Sequence, residues 1–334
     1  MSPQRPSRKV LIGSALAALL APLALVASVS SPAQASAPKP HHVKMYKVEA
    51  HVDLSGEFPD NTLVTDLSCN GSDYVLDGMW RVDHVDQANP DTDTFGDERD
   101  VQVLWSYGDN ANASLWHFKF SNGADGDAQL KIFLTCMQAD TEGQHGHSHP
   151  IVLSNRKDMS HAALASGTNT FDHTATCVSG EVVVAPGFKF TTGYGRPFRS
   201  WPTSDFYGWH WGFLVSGAPA DVDTYYRCLQ IKTGAAGNGP HAHNLYTTWD
   251  TGWGGTHYTI PVNTGYEVQQ SCESKFYDKG MVAGFWIDDP WHTWWLGMDP
   301  RPKTRAFRYW NTGGGSVWST LLCVGSRTGK QIAP

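Results

Sequence analysis

The sequence predicts an all-β protein: three tandem antiparallel β-sandwich-like repeats of about 95 residues, each with one internal disulfide, after a cleaved signal peptide. Three observations predict it. Cysteine and histidine landmarks recur at one spacing, apolar residues alternate with period two in every copy, and no long segment holds a 3.6-residue period.

The chain begins with a basic start (Arg5, Arg8, Lys9), the apolar run Val10–Ala27 and the small-x-small site Ala33-Gln34-Ala35. That order reads as a secretory signal over residues 1–35, and Pro22 and the small residues favour cleavage over a retained anchor. The expected product is a secreted, extracellular chain with no membrane insertion after processing. Loss of residues 1–35 removes three cationic residues and no acidic ones, so the net charge moves from −7 to −10. An acidic chain repels phosphate backbones, which argues against nucleic acid as a partner.

The repeats span residues 36–140, 141–233 and 234–334. Cys177 and Cys272 stand 95 positions apart, as do Cys228 and Cys323, while His147–His241 and His149–His243 are each 94 apart. The segments "NTLVTDLSC", "NTFDHTATC" and "NTGYEVQQSC" precede the first cysteine of each copy. A β-rich run with a Gly and a nearby aromatic follows, and each copy closes on a second cysteine. The first copy is longer, with Gln87–Asp100 as the insertion.

Within the first copy Trp116, Phe118 and Phe120 alternate, then Asn122-Gly123, then Leu130, Ile132, Leu134 and Cys136. The pattern predicts a hairpin. Trp209, Trp211 and Phe213 repeat the row in the second copy, and one inward row per copy is what a core needs. Copies of this length can own separate cores, which favours a row of touching modules over one closed pseudo-threefold body.

All six cysteines lie after residue 35, and none forms a closely spaced Cys-x-x-Cys pair, so disulfides are favoured over a zinc site. Six cysteines allow fifteen pairings. If the copies fold alike, symmetry selects Cys69–Cys136, Cys177–Cys228 and Cys272–Cys323, each stabilising its copy by roughly 3–4 kcal/mol in the chain-entropy treatment. The sequence of a cysteine, a Gly-plus-aromatic step, a Trp-containing strand and a closing cysteine resembles small modules of secreted actinobacterial proteins. The resemblance implies a secreted β-repeat protein and brings no activity with it.

Gly-x-Ser-x-Gly, His-Glu-x-x-His and a phosphate-binding Gly-rich loop are all absent from the sequence, and the assigned disulfides leave no thiol nucleophile. The carboxylates Asp288, Asp289 and Asp299 invite a glycosidase reading, but a turn before Pro290 explains the adjacent pair better. "DTDTFGDERD" lacks the ligand pattern of an EF-hand, which leaves an irregular Ca²⁺ site or a solvated acidic loop.

Histidines cluster in "HGHSHP" (His145, His147, His149) and "HAH" (His241, His243), with His41 and His42 at the same repeat phase. A His-x-His pair on a strand shows both rings to one side and can grip Zn²⁺ or Cu²⁺. His147, His149, His241 and His243 are therefore candidate metal ligands, with His161, His173 or His257 to complete a site. The plainer reading is solvated residues at unit boundaries.

Eight of the fourteen tryptophans fall after residue 230. "DDPWHTWWLGMDPRPKTR" sets Trp291, Trp294 and Trp295 among prolines and charges, a loop-like context in which exposed rings are costly unless used. These three rings form the candidate ligand platform, with Asp289, His292 and Arg301 as hydrogen-bonding partners and Trp249 and Trp253 as a further pair. The expected function is non-catalytic, multivalent binding of cell-envelope or environmental glycans. The alternatives are an adaptor subunit with the tryptophans against a protein partner, a secreted metal-binding protein, and a glycan-active hydrolase.

Overall fold

The alternation read in the sequence becomes strand after strand. The first copy forms β1 (Met45–Leu54), β2 (Thr62–Ser68), β3 (Tyr74–Val85), β4 (Val101–Gly108), β5 (Leu115–Asn122) and β6 (Ala128–Met137). The second forms β7 (Leu153–Leu164), β8 (Gly167–Asp172), β9 (Glu181–Thr192), β10 (Arg196–Pro202), β11 (Trp209–Val215) and β12 (Ala220–Gln230). The third opens with the short β13 (Ala242–His243), β14 (Thr247–Trp249) and β15 (Thr256–Ile260). It continues with β16 (Thr264–Ser271), β17 (Lys279–Ile287), β18 (Thr293–Pro300), β19 (Thr304–Asn311), β20 (Gly315–Val324) and β21 (Gln331–Ile332). This computed structural model describes residues 40–332 except 58–60, 86–96, 125, 145, 173–176, 237–240, 251–253, 274–276, 302 and 330. Residues 1–35, which the sequence suggests are a signal, most of the insertion, His145, His173 and Trp253 thus lie outside the described residues. The protein is nearly all β; among the described residues a single 3-10 turn, Asp97–Asp100, is helical, and no helix is long and apolar enough to cross a membrane.

Strand pairing joins the copies. One sheet runs β1-β6-β3-β18-β19-β16, a second β14-β20-β17-β10-β11-β8 with β15 also on β20, and a third β2-β5-β4-β9-β12-β7. In every copy (in the third, β14 with β15 takes the first place and β16 to β20 the second to sixth) the first, sixth and third strands make one half-sheet, and the second, fifth and fourth make another. The third strand of each copy then pairs with the fourth strand of a different one: Ser106↔Phe188, Ser200↔Phe285 and Arg81↔Gly297. The three seams close a ring, so the copies form one pseudo-threefold body and not the row of touching modules expected from their length. Each half-sheet alone would leave unpaired edge N–H and C=O groups, and pairing across copies satisfies them. Hydrophobic period cannot reveal which edges meet.

The expected hairpin is likewise replaced. β5 and β6 lie in different sheets and face each other across one core, as do β11 and β12. Both strands fill the same interior from opposite sides, so their alternation matches that of a hairpin. Fully buried Asn122 holds the crossing: its Oδ1 accepts the Ala124 N–H at 2.9 Å and its Nδ2 donates to Gly126 O at 2.8 Å.

Disulfides Cys69–Cys136, Cys177–Cys228 and Cys272–Cys323 all form within copies, with Cα atoms 5.8, 5.5 and 5.8 Å apart. Each ties the end of a second strand to the sixth strand and so staples one sheet to another. Trp116, Trp209, Trp211, Phe118 and Phe213 are all buried, as core rows should be. On the pseudo-threefold axis meet Trp80, Phe188 and Phe285, one from the third strand of each copy. Trp295 is wedged 4.4 Å from Trp80 and 3.8 Å from Phe285 between ring centroids.

Beside this core Asp77 of β3 is fully buried and accepts the Ala283 N–H at 3.1 Å. Burial raises its carboxyl from 3.8 to about 7 against the opposing charge of Arg305. The folded state therefore holds this proton more tightly than the unfolded chain does. The group's favourable contribution is complete below pH about 4 and is lost as pH rises to about 7, with a slope of up to about 1.4 kcal/mol per pH unit. Asp77→Asn keeps an acceptor for Ala283. Urea unfolding at pH 5 and pH 8 should show the wild type losing stability between the two and the variant losing less. Equal losses would contradict the buried-proton account.

Candidate functional site

The ends of the axis carry the two clusters that the sequence singled out. At one end converge the connections between third and fourth strands of the second and third copies, together with Asp97–Asp100, which leads into the fourth strand of the first. In the third copy Asp289 builds the connection: its Oδ1 accepts the Trp291 N–H at 3.1 Å, its Oδ2 meets His292 Nδ1 at 2.7 Å, and its carbonyl accepts the Thr293 N–H at 3.1 Å. This turn presents Trp291 outward, 53% exposed. Strand alternation then sends Trp295 into the axial core and Trp294 to the other face, where the guanidinium of Arg196 lies 4.4 Å and that of Arg99 5.8 Å from its ring centre. Arg196 also donates to the carbonyl of Pro290. Burial lowers the Arg196 guanidinium to about 10, partly offset by Asp289, and it remains charged at neutral pH. With Tyr194, these groups line a cleft of about 270 Å³.

The structure thus brings Trp291, Trp294 and Trp295 to one cleft, with Asp289 and His292 serving its supporting turn. Arg301 lies apart, paired with Glu267 at 3.4 Å beside a different cavity of about 260 Å³. Trp249 is a core residue, stacked on Phe206 at 5.6 Å and not a ligand platform. Asp288 accepts from Trp318 Nε1 at 3.3 Å and Asp299 pairs with Arg81 at 2.8 Å, so neither shares a partner with Asp289. Sequence reasoning missed Tyr194, Arg196 and Arg99, because they reach the cleft from the other two copies and no local pattern marks them.

The opposite end lies a strand length away, roughly 30 Å, where the copies succeed one another. Here His41, His149 and His243 meet, one from each copy, all buried, with ring centroids 4.6–5.0 Å apart. A ring nitrogen of each lies within 4.8 Å of the others, and the same holds for His147, His149 and His241. The inner three share one bonding scheme. Their backbone N–H groups donate to the hydroxyls of Thr328, Thr141 and Thr233 at 2.9 Å each. Their Nδ1 atoms meet the carbonyls of Glu142, Gly234 and Gly329 at 3.3, 3.1 and 3.0 Å. A carbonyl can only accept, which fixes the proton on Nδ1 and leaves the Nε2 lone pair free. The Nε2 atoms of His147, His149 and His243 are buried without a hydrogen-bond partner.

Burial lowers the imidazole of His41 from 6.5 to about 4, with repulsion from the other histidines adding to it, and His149 and His241 are lowered for the same reasons. Those three rings are neutral at pH 7. His161, bonded to Asp223 at 2.9 Å, and His257, tilted against Trp318 with ring centroids 4.5 Å apart, lie outside the cluster. Compared with known proteins, the chain matches no family model and no curated sequence.

Proposed function

We propose that the chain is exported and acts as a non-catalytic binding protein for glycans, with the axial aromatic cleft as its site. One observation carries the reading: an exposed indole and phenol, Trp291 and Tyr194 (53% and 47% exposed), stand at the mouth of a cleft walled by Trp294 and two guanidinium groups. Flat apolar rings suit the C–H faces of a sugar, and guanidinium donors suit its hydroxyls and, better still, a carboxylate. The cleft has room for about one sugar ring at a chain end or branch. Glycans carrying uronic acids fit it best. Because all three copies build this cleft jointly, the expected three-site avidity gives way to one site per chain. Export is supported by the leader pattern and by the pairing of every cysteine.

A glycan array and polysaccharide retention assay should show binding to uronate-containing polymers above neutral ones. Trp291→Ala with Tyr194→Ala, both on the surface, should weaken retention about tenfold at an unchanged melting temperature. Retention by no glycan, or retention indifferent to this pair, overturns the reading. Recovery of a protein partner through the same rings would establish the adaptor alternative instead.

A further inference from the structure

We propose that His41, His149 and His243 are the ligands of a transition-metal site on the pseudo-threefold axis, built for a borderline divalent ion of the Zn²⁺ class. The argument begins with what the rings lack. Folding has withdrawn three imidazoles from water and given each Nδ1 a carbonyl, yet the buried Nε2 atoms of His149 and His243 accept from nothing. An unpaired buried acceptor costs about 1–3 kcal/mol, and native proteins seldom leave several together without a reason. Two such lone pairs, with a ring nitrogen of His41 within 4.8 Å of both rings' nitrogens, are what a cation satisfies and an apolar core does not. The Nδ1–H···O=C bonds are the outer-sphere contacts by which ligating histidines are oriented and made more basic.

Comparison of the copies sharpens the point. Their sequences differ at most positions, and the core position filled by Trp116 in the first copy is filled by Arg305 in the third. Nevertheless each of the three histidines keeps the same partners: a threonine that receives its N–H, and a carbonyl one residue beyond a threonine that receives its Nδ1–H. Packing alone would accept leucine or phenylalanine at these three places.

The donor set selects the ion. Nitrogen ligands without carboxylates or thiolates disfavour Ca²⁺ and Mg²⁺ and suit Zn²⁺, Cu²⁺ or Ni²⁺. Ion–nitrogen distances of 2.0–2.1 Å would draw the three nitrogens to about 3.4 Å from one another, a modest closing of their present span. His147 and His241 sit just outside, with ring centroids 5.1 and 4.7 Å from that of His149. One of them can take the fourth tetrahedral position. At the corresponding place in the first copy the sequence has Lys39. The ion would join the start of the first copy to the ends of all three, since His41 is bonded to both Thr328 and Glu142.

The test uses the full exported chain, stripped with a chelator, and Zn²⁺, Co²⁺ and Ca²⁺ as probes. Elemental analysis after dialysis should return one Zn²⁺ per chain and no Ca²⁺. Zn²⁺ at a hundredfold excess over its Kd should raise the melting temperature by about 4–6 °C, and Co²⁺ should give the intense visible bands of a four-coordinate nitrogen site. His149→Gln should abolish the stoichiometric ion. Should that variant fold poorly, the peripheral change His241→Ala serves instead, and it should lower affinity about tenfold. No retained Zn²⁺, or retention unaffected by either variant, overturns the proposal. Because the aromatic cleft lies at the other end of the axis, loss of glycan retention leaves this result untouched, and the reverse also holds.

Discussion

Gly297→Ala lowers the unfolding free energy by about 3–5 kcal/mol and the melting temperature by about 10 °C. Gly297 is where β18 of the third copy meets β3 of the first, opposite Arg81. Its φ is +110°, outside the range L residues favour, and an added Cβ would lie 2.1 Å from the carbonyl oxygen of Trp80 and 2.8 Å from the Cα of Arg81. Both obstacles are backbone, so no rotamer relieves them. The seam must part or the strand must shift, and either disturbs the Arg81–Asp299 ion pair at 2.8 Å and the bond from Arg308 to Val82 O at 2.6 Å. Gly314 provides the control. Its φ is +81° but an added Cβ meets only Val262 Cγ2 at 3.5 Å, so Gly314→Ala should cost about 1–2 kcal/mol, the conformational part alone. Equal losses in the two variants, measured by thermal and urea unfolding, would show that close approach at the seam is not what matters.

Arg305→Ala costs a similar 3–5 kcal/mol for a different reason. Arg305 is 1% exposed, and burial lowers its guanidinium to about 10. Its Nη2 donates to Thr135 Oγ1 at 2.7 Å, to Gly280 O at 2.9 Å and to Met281 O at 3.2 Å, which links the third copy to the first. Truncation would remove the donor these three acceptors share and the cation that faces the carboxyl of Asp77, and open a hole among them. Arg305 precedes Asn311 by six residues, as Trp116 precedes Asn122, and both asparagines are fully buried at the crossing between sheets. The third copy thus holds a cation where the first holds an indole. Arg305→Met with Asp77→Asn removes both charges while keeping volume and should recover most of the loss. If the double variant is no more stable than Arg305→Ala, the charges are not the source of the cost.

What could be read from the chain divides along physical lines. The cysteine pairing followed from repeat phase, because a bridge within one copy is a local feature that duplication carries along. Trp116, Trp209 and Trp211 were readable as core since strand alternation is a near-neighbour property. The seams were not readable: Ser106 and Phe188, or Ser200 and Phe285, meet through backbone groups that every residue owns. For the same reason Trp291, Trp294 and Trp295 could be singled out by context while Tyr194, Arg196 and Arg99 could not. The histidines stand between these cases. Their phase was visible, including that of His41, but the threonine and carbonyl contacts that set their tautomer arise only when the ring closes.

Closure also changes what the two termini mean. Thr328 N–H meets His41 O at 2.8 Å and Val43 N–H meets Ser326 O at 2.9 Å, while Thr141 N–H meets His149 O at 2.9 Å across a junction that is covalent. The break between last copy and first is therefore bridged by the same hydrogen bonds as the unbroken junctions. A circular permutant opened between the second and third copies retains every seam and both axial clusters. A polypeptide of one copy alone would own a single inner histidine, a third of the cleft and two raw strand edges, so it could regain either site only by assembling as a trimer.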